Sequence, residues 1–355
     1  MSFGDFSTLY YEIGGFELIF HQILYQILTR LNNERTVSSA YHLLKGKRSG
    51  QTIQDVGIFK LHTYFGLLPK LKRPVFDEAI KDLQNQGVLQ IEENGFYQIN
   101  FDVPIELQPY YFNGWRYRGN EHLFFSRLSL LVETVSYVKH RVRYFAPTEK
   151  NADTQRFIRL FLRANTFQTE SFRRQLHDEL HLCLAHESFT ELQRELIVNR
   201  LSGVNIAGVT WKQLAQINDL DQMDVYFIYI SALHLLLNRI NTEEVPLLQK
   251  LAEGIEVTTP LTESTKQTAV YVQQGYSIEQ IANVRQLKTS TIEDHIVEMT
   301  MNIPSFSIEP FLSTNDLQTI LSTADAYQTK KLRVLKEIMP HYSYFQLRLA
   351  LAKGE

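Results

Sequence analysis

The stretch SIEQIANVRQLKTSTIEDHI, residues 277–296, predicts the tight turn and flanking helices of a helix-turn-helix. Ser277 is a typical N-terminal cap for a short helix, and Gln280 stands where a capping box requires it. After the turn, Ile292 and Ile296 recur four residues apart, as they do on the buried side of an α-helix. The packing of short helices around this turn is therefore expected to set the fold of the surrounding region.

Helical signals on both sides extend this unit from Thr262 to Asn302. Thr262 is predicted to cap a preceding helix that runs through Gln274 and ends at Gly275 in a left-handed conformation. Ser290 is predicted to cap a third helix after the turn. In a helix-turn-helix, this last helix is the one offered to a DNA groove.

Two features of the turn and the third helix argue against ordinary reading of DNA. Gln286 replaces the usual turn glycine, which adopts a positive φ more easily. The helix carries Glu293, Asp294 and Glu298, and no Lys or Arg lies within 291–302. Phosphate contact is therefore predicted only near its start, where it positions the protein without reading sequence. The candidate DNA contacts here are Arg285, Lys288, Thr289, Ser290 and His295. Packing of these helices on a partner protein stays an open alternative.

The same stretch resembles the helix-turn-helix domain at the C-terminal end of many RecQ-family helicases. The similarity continues through KKLRVLKEIMPHYSYFQLRLALAK, residues 330–353, with Pro340, Tyr342, Tyr344, Arg348 and Ala350 in the corresponding pattern. The whole chain is similar to the YpbB-like family of bacterial accessory proteins, which carry this domain without a motor and are often encoded beside a short RecQ-type helicase. The resemblance implies a RecQ-type DNA helicase as partner, and a role in DNA repair or recombination.

The N-terminal region begins with a series of helical signals. Its first helix is predicted from an amphipathic run with apolar residues at Phe16, Ile19, Phe20, Ile23, Leu24, Ile27, Leu28 and Leu31. Thr36 can cap a following helix through Leu44, and another apolar run spans 58–68. Pro74 suits the first turn of a further helix that ends before Gly87.

A β-hairpin is predicted directly after these helices. Leu89 and Ile91 alternate with polar residues, and so do Tyr97, Ile99 and Phe101. The residues Asn94–Gly95 between the two runs predict a two-residue turn. Helices followed by a hairpin indicate a winged helix, a common DNA-binding module.

Basic residues concentrate in this region from Lys45 to Arg73. They are Lys45, Lys47, Arg48, Lys60, Lys70, Lys72 and Arg73, against Asp55 alone, so the local charge is seven minus one, or plus six. The predicted helix that starts at Pro74 is acidic, which favours binding of the DNA backbone over reading of bases. The candidate DNA contacts are Lys47, Arg48, Lys70, Lys72 and Arg73. An ordinary solvated loop, for which Gly46, Ser49 and Gly50 have the typical composition, stays the alternative.

Helical periodicity continues through a central region from Trp115 to Leu251. Its first part contains the cations Arg116, Arg118, Arg127, Lys139, Arg141, Arg143, Lys150, Arg156, Arg159 and Arg163 against Glu121, Glu133, Glu149 and Asp153. Aromatic residues are interleaved with these cations. Their rings either stack on bases or belong to the core, and in the second case the arginine stems cover apolar helices. The candidate contacts with single-stranded or forked DNA are Arg116, Arg118, Lys139, Arg141 and Arg143. The almost wholly apolar run 227–237 predicts a buried helix.

Composition and motifs argue against an enzyme. KGKRSG, residues 45–50, has the wrong order of glycines and lysine for a Walker A phosphate cradle, so no motor is expected in this chain. Cys183 is the only cysteine, which excludes a zinc ribbon and an internal disulfide, and it is predicted to be buried. His177 and His181 are too few ligands for a metal site. No metal or cofactor is expected, and the net charge of -3 means that any DNA binding depends on local patches.

These signals predict a mainly α-helical, multidomain, cytoplasmic protein, since the chain shows neither a membrane-length apolar run nor a secretory start. The predicted domains are a winged-helix-like domain at 1–105, a central helical domain at 115–252 and the helix-turn-helix domain at 261–355. Boundaries are expected near 102–114 and 253–261. The predicted function is that of a non-catalytic accessory of a RecQ-type helicase, which engages forked or single-stranded DNA. A helix-turn-helix transcription regulator and an interaction scaffold without DNA affinity are the alternatives.

Overall fold

The computed structural model describes residues 18–100, 110–142, 144–257 and 261–354. These residues form eighteen α-helices and one two-stranded hairpin, so the prediction of a mainly helical fold is confirmed. Both predicted domain junctions lie partly outside the described residues. The domain boundaries therefore stay a prediction.

The N-terminal part contains four helices followed by the hairpin. The helices are α1 (Ile19–Leu31), α2 (Val37–Leu44), α3 (Gly50–Ile58) and α4 (Arg73–Asn85), and the strands are β1 (Leu89–Ile91) and β2 (Tyr97–Ile99). The strands are antiparallel, with Leu89 opposite Ile99. The apolar face of α1 is buried, as its sequence pattern predicts. Phe16 and Phe101, which that pattern and the hairpin pattern include, lie outside the described residues.

The chain between α2 and α4 differs from its prediction. The composition of Gly46, Ser49 and Gly50 is typical of a loop, yet α3 starts at Gly50 because the Ser49 hydroxyl accepts a hydrogen bond from the backbone N–H of Thr52. The apolar run 58–68 is not an α-helix and contains only a 3-10 turn. Lys60 interrupts the helical backbone with a φ of +53°.

The hairpin turn is one residue longer than predicted. The backbone N–H of Glu92 donates to the carbonyl of Phe96 over 2.8 Å, so three residues separate the paired positions. The N–H of Gly95 donates to the carbonyl of Glu92 over 2.9 Å, and Gly95 has a φ of +82°. A glycine in the left-handed region at this position is typical of three-residue hairpin loops.

The central part consists of helices packed around one buried helix. The helices are α5 (Gly114–Tyr117), α6 (Glu121–Lys139), α7 (Ala152–Arg163), α8 (Glu170–Leu184), α9 (Glu191–Asn199), α10 (Trp211–Asn218), α11 (Gln222–Thr242) and α12 (Pro246–Leu251). Helix α11 contacts α1, α6, α8, α9 and α10, and residues 227–237 are all buried, as predicted. In the described part of the chain, no single helix is long and apolar enough to cross a membrane. Only α10 and α11 together pass on length and composition, and they are bent by 100°.

Three polar side chains of α11 hold the backbone of other elements. The carboxylate of Asp224 accepts a hydrogen bond from the backbone N–H of Ile19 over 2.8 Å, at the start of α1. The hydroxyl of Ser231 accepts from the N–H of Tyr111, and Nδ1 of His234 accepts from the N–H of Asn113, over 2.9 and 3.0 Å. These bonds attach the N-terminal part and the segment before α5 to the central core.

The C-terminal part begins with the predicted helix-turn-helix. Its helices are α13 (Glu263–Gln273), α14 (Ile278–Arg285), α15 (Thr289–Asn302), α16 (Thr314–Ala326), α17 (Leu332–Ile338) and α18 (Tyr344–Lys353). The side chain of Thr262 caps α13, and Ser277 forms a capping box with Gln280, as predicted. Gly275 has the expected positive φ of +81°. Local sequence therefore sets the ends of the first two helices.

The turn and the start of α15 are less regular than the sequence pattern indicates. Gln286 adopts a φ of +53° where a glycine is usual, so the turn forms despite its side chain. Ser290 does not cap α15. A helix capped by Ser290 would start at Thr291, but α15 starts two residues earlier, at Thr289, and its N-cap residue Lys288 makes no side-chain capping bond.

The two ends of the chain pack against each other through α3. Helix α3 contacts both α15 and α18. A Cβ atom on Gly57 would lie only 2.0 Å from Cε of Met301, so the absence of a side chain lets the two helices approach. Nε2 of Gln54 donates to Oδ1 of Asp294 over 3.1 Å. This packing decides which surfaces of the helix-turn-helix remain exposed.

Candidate nucleic-acid interface

The basic stretch from Lys45 to Arg73 carries an exposed positive patch, called the loop patch here. Its exposed cations are Lys47, Arg48, Lys60, Lys70, Lys72 and Arg73. The single acid of the stretch, Asp55, is buried, and its Oδ1 lies 2.8 Å from Nε of Arg35. Burial raises the pKa of Asp55 to about 6. The acid counted against the patch therefore does not lie on its surface.

Cations of the loop patch converge around the end of α2. The guanidinium of Arg73 lies 5.3 Å from the ring centroid of Tyr41, and the ammonium of Lys45 lies 5.4 Å from it. Burial lowers the pKa of His42, and the charges of Lys47, Arg73 and Lys45 lower it further. Cations from separate parts of the chain thus lie together and make the surface around the end of α2 positive.

A cleft joins the loop patch to the central and C-terminal parts. Its volume is about 220 Å³, and it is lined by Arg48, Arg118, Asn120, Gly254, Glu256, Val257, Leu261, Thr262, Glu263 and Lys266. A Cβ atom on Gly46 would lie 3.0 Å from the Cα of Gly66, and one on Gly66 would lie 3.7 Å from the Cα of Arg118. This backbone packing brings Arg48 near Arg118. Burial, followed by the charge of Arg48, lowers the pKa of Arg118 to about 10.

The other predicted contacts of the central part do not form one site. Nη2 of Arg116 lies 2.6 Å from a carboxylate oxygen of Glu256, so its charge is paired. Lys139 and Arg141 are exposed at the far end of α6. The length of α6 separates that end from the cleft by about 27 Å, at 1.5 Å per residue. Arg143 lies outside the described residues.

Helix α15, predicted to face a DNA groove, is instead the central helix of the C-terminal part. It packs against α13, α14, α18 and α3, which bury residues 295–300 as well as Ile292. Its acids are satisfied internally. Glu298 accepts hydrogen bonds from Thr262 and Thr265, and Asp294 is bonded by Arg348. Most of the length of this helix is therefore not available to a DNA groove.

Two of the five predicted contacts of the helix-turn-helix are used inside the domain. His295 is buried, and its Nδ1 lies 2.7 Å from the hydroxyl of Thr268. Burial, followed by the nearby charge of Arg285, lowers the pKa of His295. The guanidinium of Arg285 donates to the carbonyl of Ser264 over 2.7 Å and to the hydroxyl of Thr268. The burial of His295 contradicts its prediction as a DNA contact. Arg285 is only partly buried, and its contact with DNA stays a prediction. Lys288, Thr289 and Ser290 are exposed, and their contact with DNA stays a prediction.

The structure adds two cations that the sequence patterns did not single out as site residues. Lys266 lines the cleft with Arg48, and Arg348 holds the acids of α15. Lys266 is one turn from the Thr262 cap of α13, which is the only sequence signal for its place.

In the described part of the chain, no three His, Cys, Asp or Glu side chains lie close enough together to hold a metal ion. His177 and His181 stack with ring centroids 6.0 Å apart on the exposed side of α8. Cys183 is buried, as predicted, and burial raises the pKa of its thiol to about 11. A thiol with this pKa remains protonated and unreactive near neutral pH.

Comparison with known proteins agrees with this architecture. Residues 264–351 match a family described as "Helix-turn-helix domain". The chain is 32% identical to "Protein YpbB" of Bacillus subtilis (strain 168) over 337 residues, which cover 92% of this chain and 95% of the relative. No solved structure matches the chain. Because the identity extends over nearly the full length of both chains, the protein belongs to the YpbB family.

Proposed function

We propose that this protein is a non-catalytic accessory of a RecQ-type DNA helicase, and that it holds the DNA backbone with the loop patch and the adjoining cleft. The observation that carries the DNA part is the meeting of Arg48 and Arg118 in the cleft beside the exposed cations of the loop patch, where Asp55 is buried and paired with Arg35. The helicase part rests on the resemblance of residues 277–296 and 330–353 to the closing domain of RecQ-family helicases.

Backbone contact fits this surface better than base reading. The exposed cations sit in loops and at the start of α4, where Lys72 is the N-cap residue without a side-chain capping bond and Arg73 is the first helical residue. The acids lie farther along α4, where Asp77 pairs with Arg73 over 2.7 Å and Glu78 is exposed. With α15 buried, no described helix of the helix-turn-helix presents a basic face to a groove. A sequence-specific transcription regulator is therefore the weaker alternative.

Replacing Lys70, Lys72 and Arg73 by Gln tests the DNA part. The slope of log affinity against log salt is expected to fall by about 2 to 3, because each lost phosphate contact removes about 0.7 to 0.9. Fluorescence anisotropy with forked, single-stranded and duplex DNA of random sequence measures both affinity and slope. A Lys212→Gln, Lys250→Gln, Arg333→Gln variant removes the same charge elsewhere and should bind like the parent. Unchanged DNA binding in the loop-patch variant would favour a scaffold without DNA affinity.

Mixing the protein with the RecQ-type helicase from the same source tests the partner. Size-exclusion chromatography with light scattering should give one species whose mass equals the sum of both proteins in a whole-number ratio. Separate elution at micromolar concentration would contradict the accessory role and move an independent DNA-binding protein to first place. A duplex preferred for its sequence over all others would instead support a regulator.

A further inference from the structure

Helix α7 presents a row of three arginines to solvent. Arg156, Arg159 and Arg163 are all exposed, while Ile158, Phe161 and Leu162 on the opposite side are buried. The spacing of three and then four residues places the arginines along one face of the helix. They are called the arginine row here.

The arginine row lacks the carboxylates that accompany several other helical arginines of this protein. Arg73, Arg173, Arg194 and Arg333 each pair with an Asp or Glu three or four positions away on the same helix. Within the described residues, none of the three row arginines lies within ion-pair distance of a carboxylate. The only acid in α7 is Asp153, in its first turn. The row is therefore a local excess of positive charge.

The sequence of α7 places like charges at the positions where helices usually carry opposite ones. Arg156 and Arg159 are three residues apart, and Arg159 and Arg163 are four residues apart, so both pairs repel along the helix. This repulsion weakens the isolated helix. A bound polyanion removes it, whereas a purely structural helix gains nothing from it.

We infer that the arginine row binds the phosphate backbone of a nucleic acid, as a second contact surface of this protein. Seven helical steps separate Arg156 from Arg163, or about 10.5 Å at 1.5 Å per residue. One strand of duplex DNA carries a phosphate about every 3.4 Å of axis, so the row spans about three phosphates. Guanidinium groups suit this partner because they bond phosphate oxygens in pairs. The inference rests on the proposed engagement of DNA and adds a place where it happens.

Contacts through the core connect this surface to the first one. The guanidinium carbon of Arg127 lies 3.8 Å from the ring centroid of Phe157, in the middle of α7. Nη1 of the same arginine donates to the carbonyls of Leu251 and Glu253 over 2.8 and 2.7 Å. The next residue, Gly254, lines the cleft that contains Arg48 and Arg118. A strand held by both surfaces would therefore contact elements that are fixed to each other.

Full-length protein with Arg156→Gln, Arg159→Gln and Arg163→Gln tests the inference, with random-sequence forked DNA as the probe. Its affinity at low salt should fall at least about tenfold, and its salt slope should fall by about 2 to 3. The Lys212, Lys250 and Arg333 variant is the matched control. A variant with Lys at all three row positions keeps the charge and should keep the slope. The midpoint of thermal unfolding of the Gln variant should not fall, because a repulsion has been removed.

The outcomes separate this inference from the proposed function. If the Lys70, Lys72 and Arg73 variant loses salt-sensitive binding but the arginine-row variant behaves like the control, the inference is wrong and the proposed function stands. If the parent shows no salt-sensitive DNA binding, both are wrong. If the arginine-row variant binds DNA normally but no longer co-elutes with the helicase, the row is a contact for an acidic protein surface, which also overturns the inference.

Discussion

Arg348 shows how a single side chain determines the role of the acidic residues in α15. Its guanidinium bonds Asp294 and lies 3.3 Å from Glu293, with only 16% of its side chain exposed. The acids appear in the sequence as a face that repels phosphates. In the folded protein they are internal partners of an arginine 54 positions away from Asp294. Local sequence shows the charges, but not which distant residue neutralises them.

Replacing Arg348 by Met is expected to destabilise the protein by about 2 kcal/mol, because it leaves partly buried carboxylates without their partner. Urea unfolding followed by circular dichroism measures the change. Adding Asp294→Asn should recover part of the loss, while Arg333→Met, at an exposed ion pair, should change stability by less than about 0.5 kcal/mol. An Arg348→Met protein as stable as the parent would show that this contact does not hold α15.

Asp224 predicts a pH dependence of stability. Burial, together with the charge of Asp221 and against the opposing hydrogen bond from the backbone N–H of Ile19, raises its pKa from a usual value of 3.8 to about 6. The folded state therefore holds an extra proton between pH 4 and pH 6. The stabilisation is complete below pH 4 and is lost as pH rises through 6, by at most about 3 kcal/mol.

The Asp224→Asn variant separates this effect from other titrations. Asn keeps an oxygen that accepts from the backbone N–H of Ile19, but it does not titrate. Its free energy of unfolding should fall less between pH 4 and pH 7 than that of the parent. Equal pH profiles for the two proteins would show that Asp224 has an ordinary pKa in the folded state.

At the level of elements, helix ends that depend on neighbouring residues are predictable from the sequence, whereas contacts between distant elements are not. The caps at Thr262 and Ser277 need only neighbours within three residues, so they were identified correctly. Helix α3 was missed because Gly46, Ser49 and Gly50 have the composition of a loop, although Ser49 is its cap. The spacing of Ile292 and Ile296 predicts that one side of α15 is buried. Its second buried side depends on α3, which lies more than two hundred residues away.

Gly114, at the start of α5, fixes how the segment 61–66 lies against the central part. A Cβ atom there would be 2.2 Å from the carbonyl oxygen of Phe65 and 3.0 Å from that of Thr63, both of which are backbone atoms. Gly114→Ala is expected to lower stability by about 2 kcal/mol or more, measured by urea unfolding. Gly275→Ala meets no atom within 4 Å and strains only a positive φ, so a loss of about 1 kcal/mol is expected. A larger loss at Gly275 would contradict this account.

At the level of the whole molecule, the first and last parts of the chain behave as one packed unit. Helix α3 contacts α15 and α18, and the carboxylate of Glu34 accepts from the backbone N–H of Lys330 over 2.6 Å. The sequence predicted separate modules joined by linkers. It gave no sign of this contact, because neither surface has a motif and each is completed only by the other.

Met301→Asp is expected to weaken this contact, since it places a charge against Gly57 of α3. Hydrogen exchange should then speed up in α3 and α18 together, while the centre of α11 keeps its protection. Thr289→Asp adds the same charge to the exposed start of α15 and should leave exchange unchanged or slower. Faster exchange in α18 without any change in α3 would show that the two parts fold independently.

The contact between Gln54 and Asp294 joins residues 240 positions apart, and this separation has a consequence during synthesis. At about 5 to 20 residues per second, the ribosome adds α15 roughly 12 to 48 s after α3. For that time the side of α3 that packs against α15 and α18 is uncovered, although α2 already contacts α3. The protein therefore most needs a holding chaperone after its N-terminal part has been made and before α15 has been made. A slower ribosome lengthens that exposure, whereas a chain released whole into refolding buffer never experiences it.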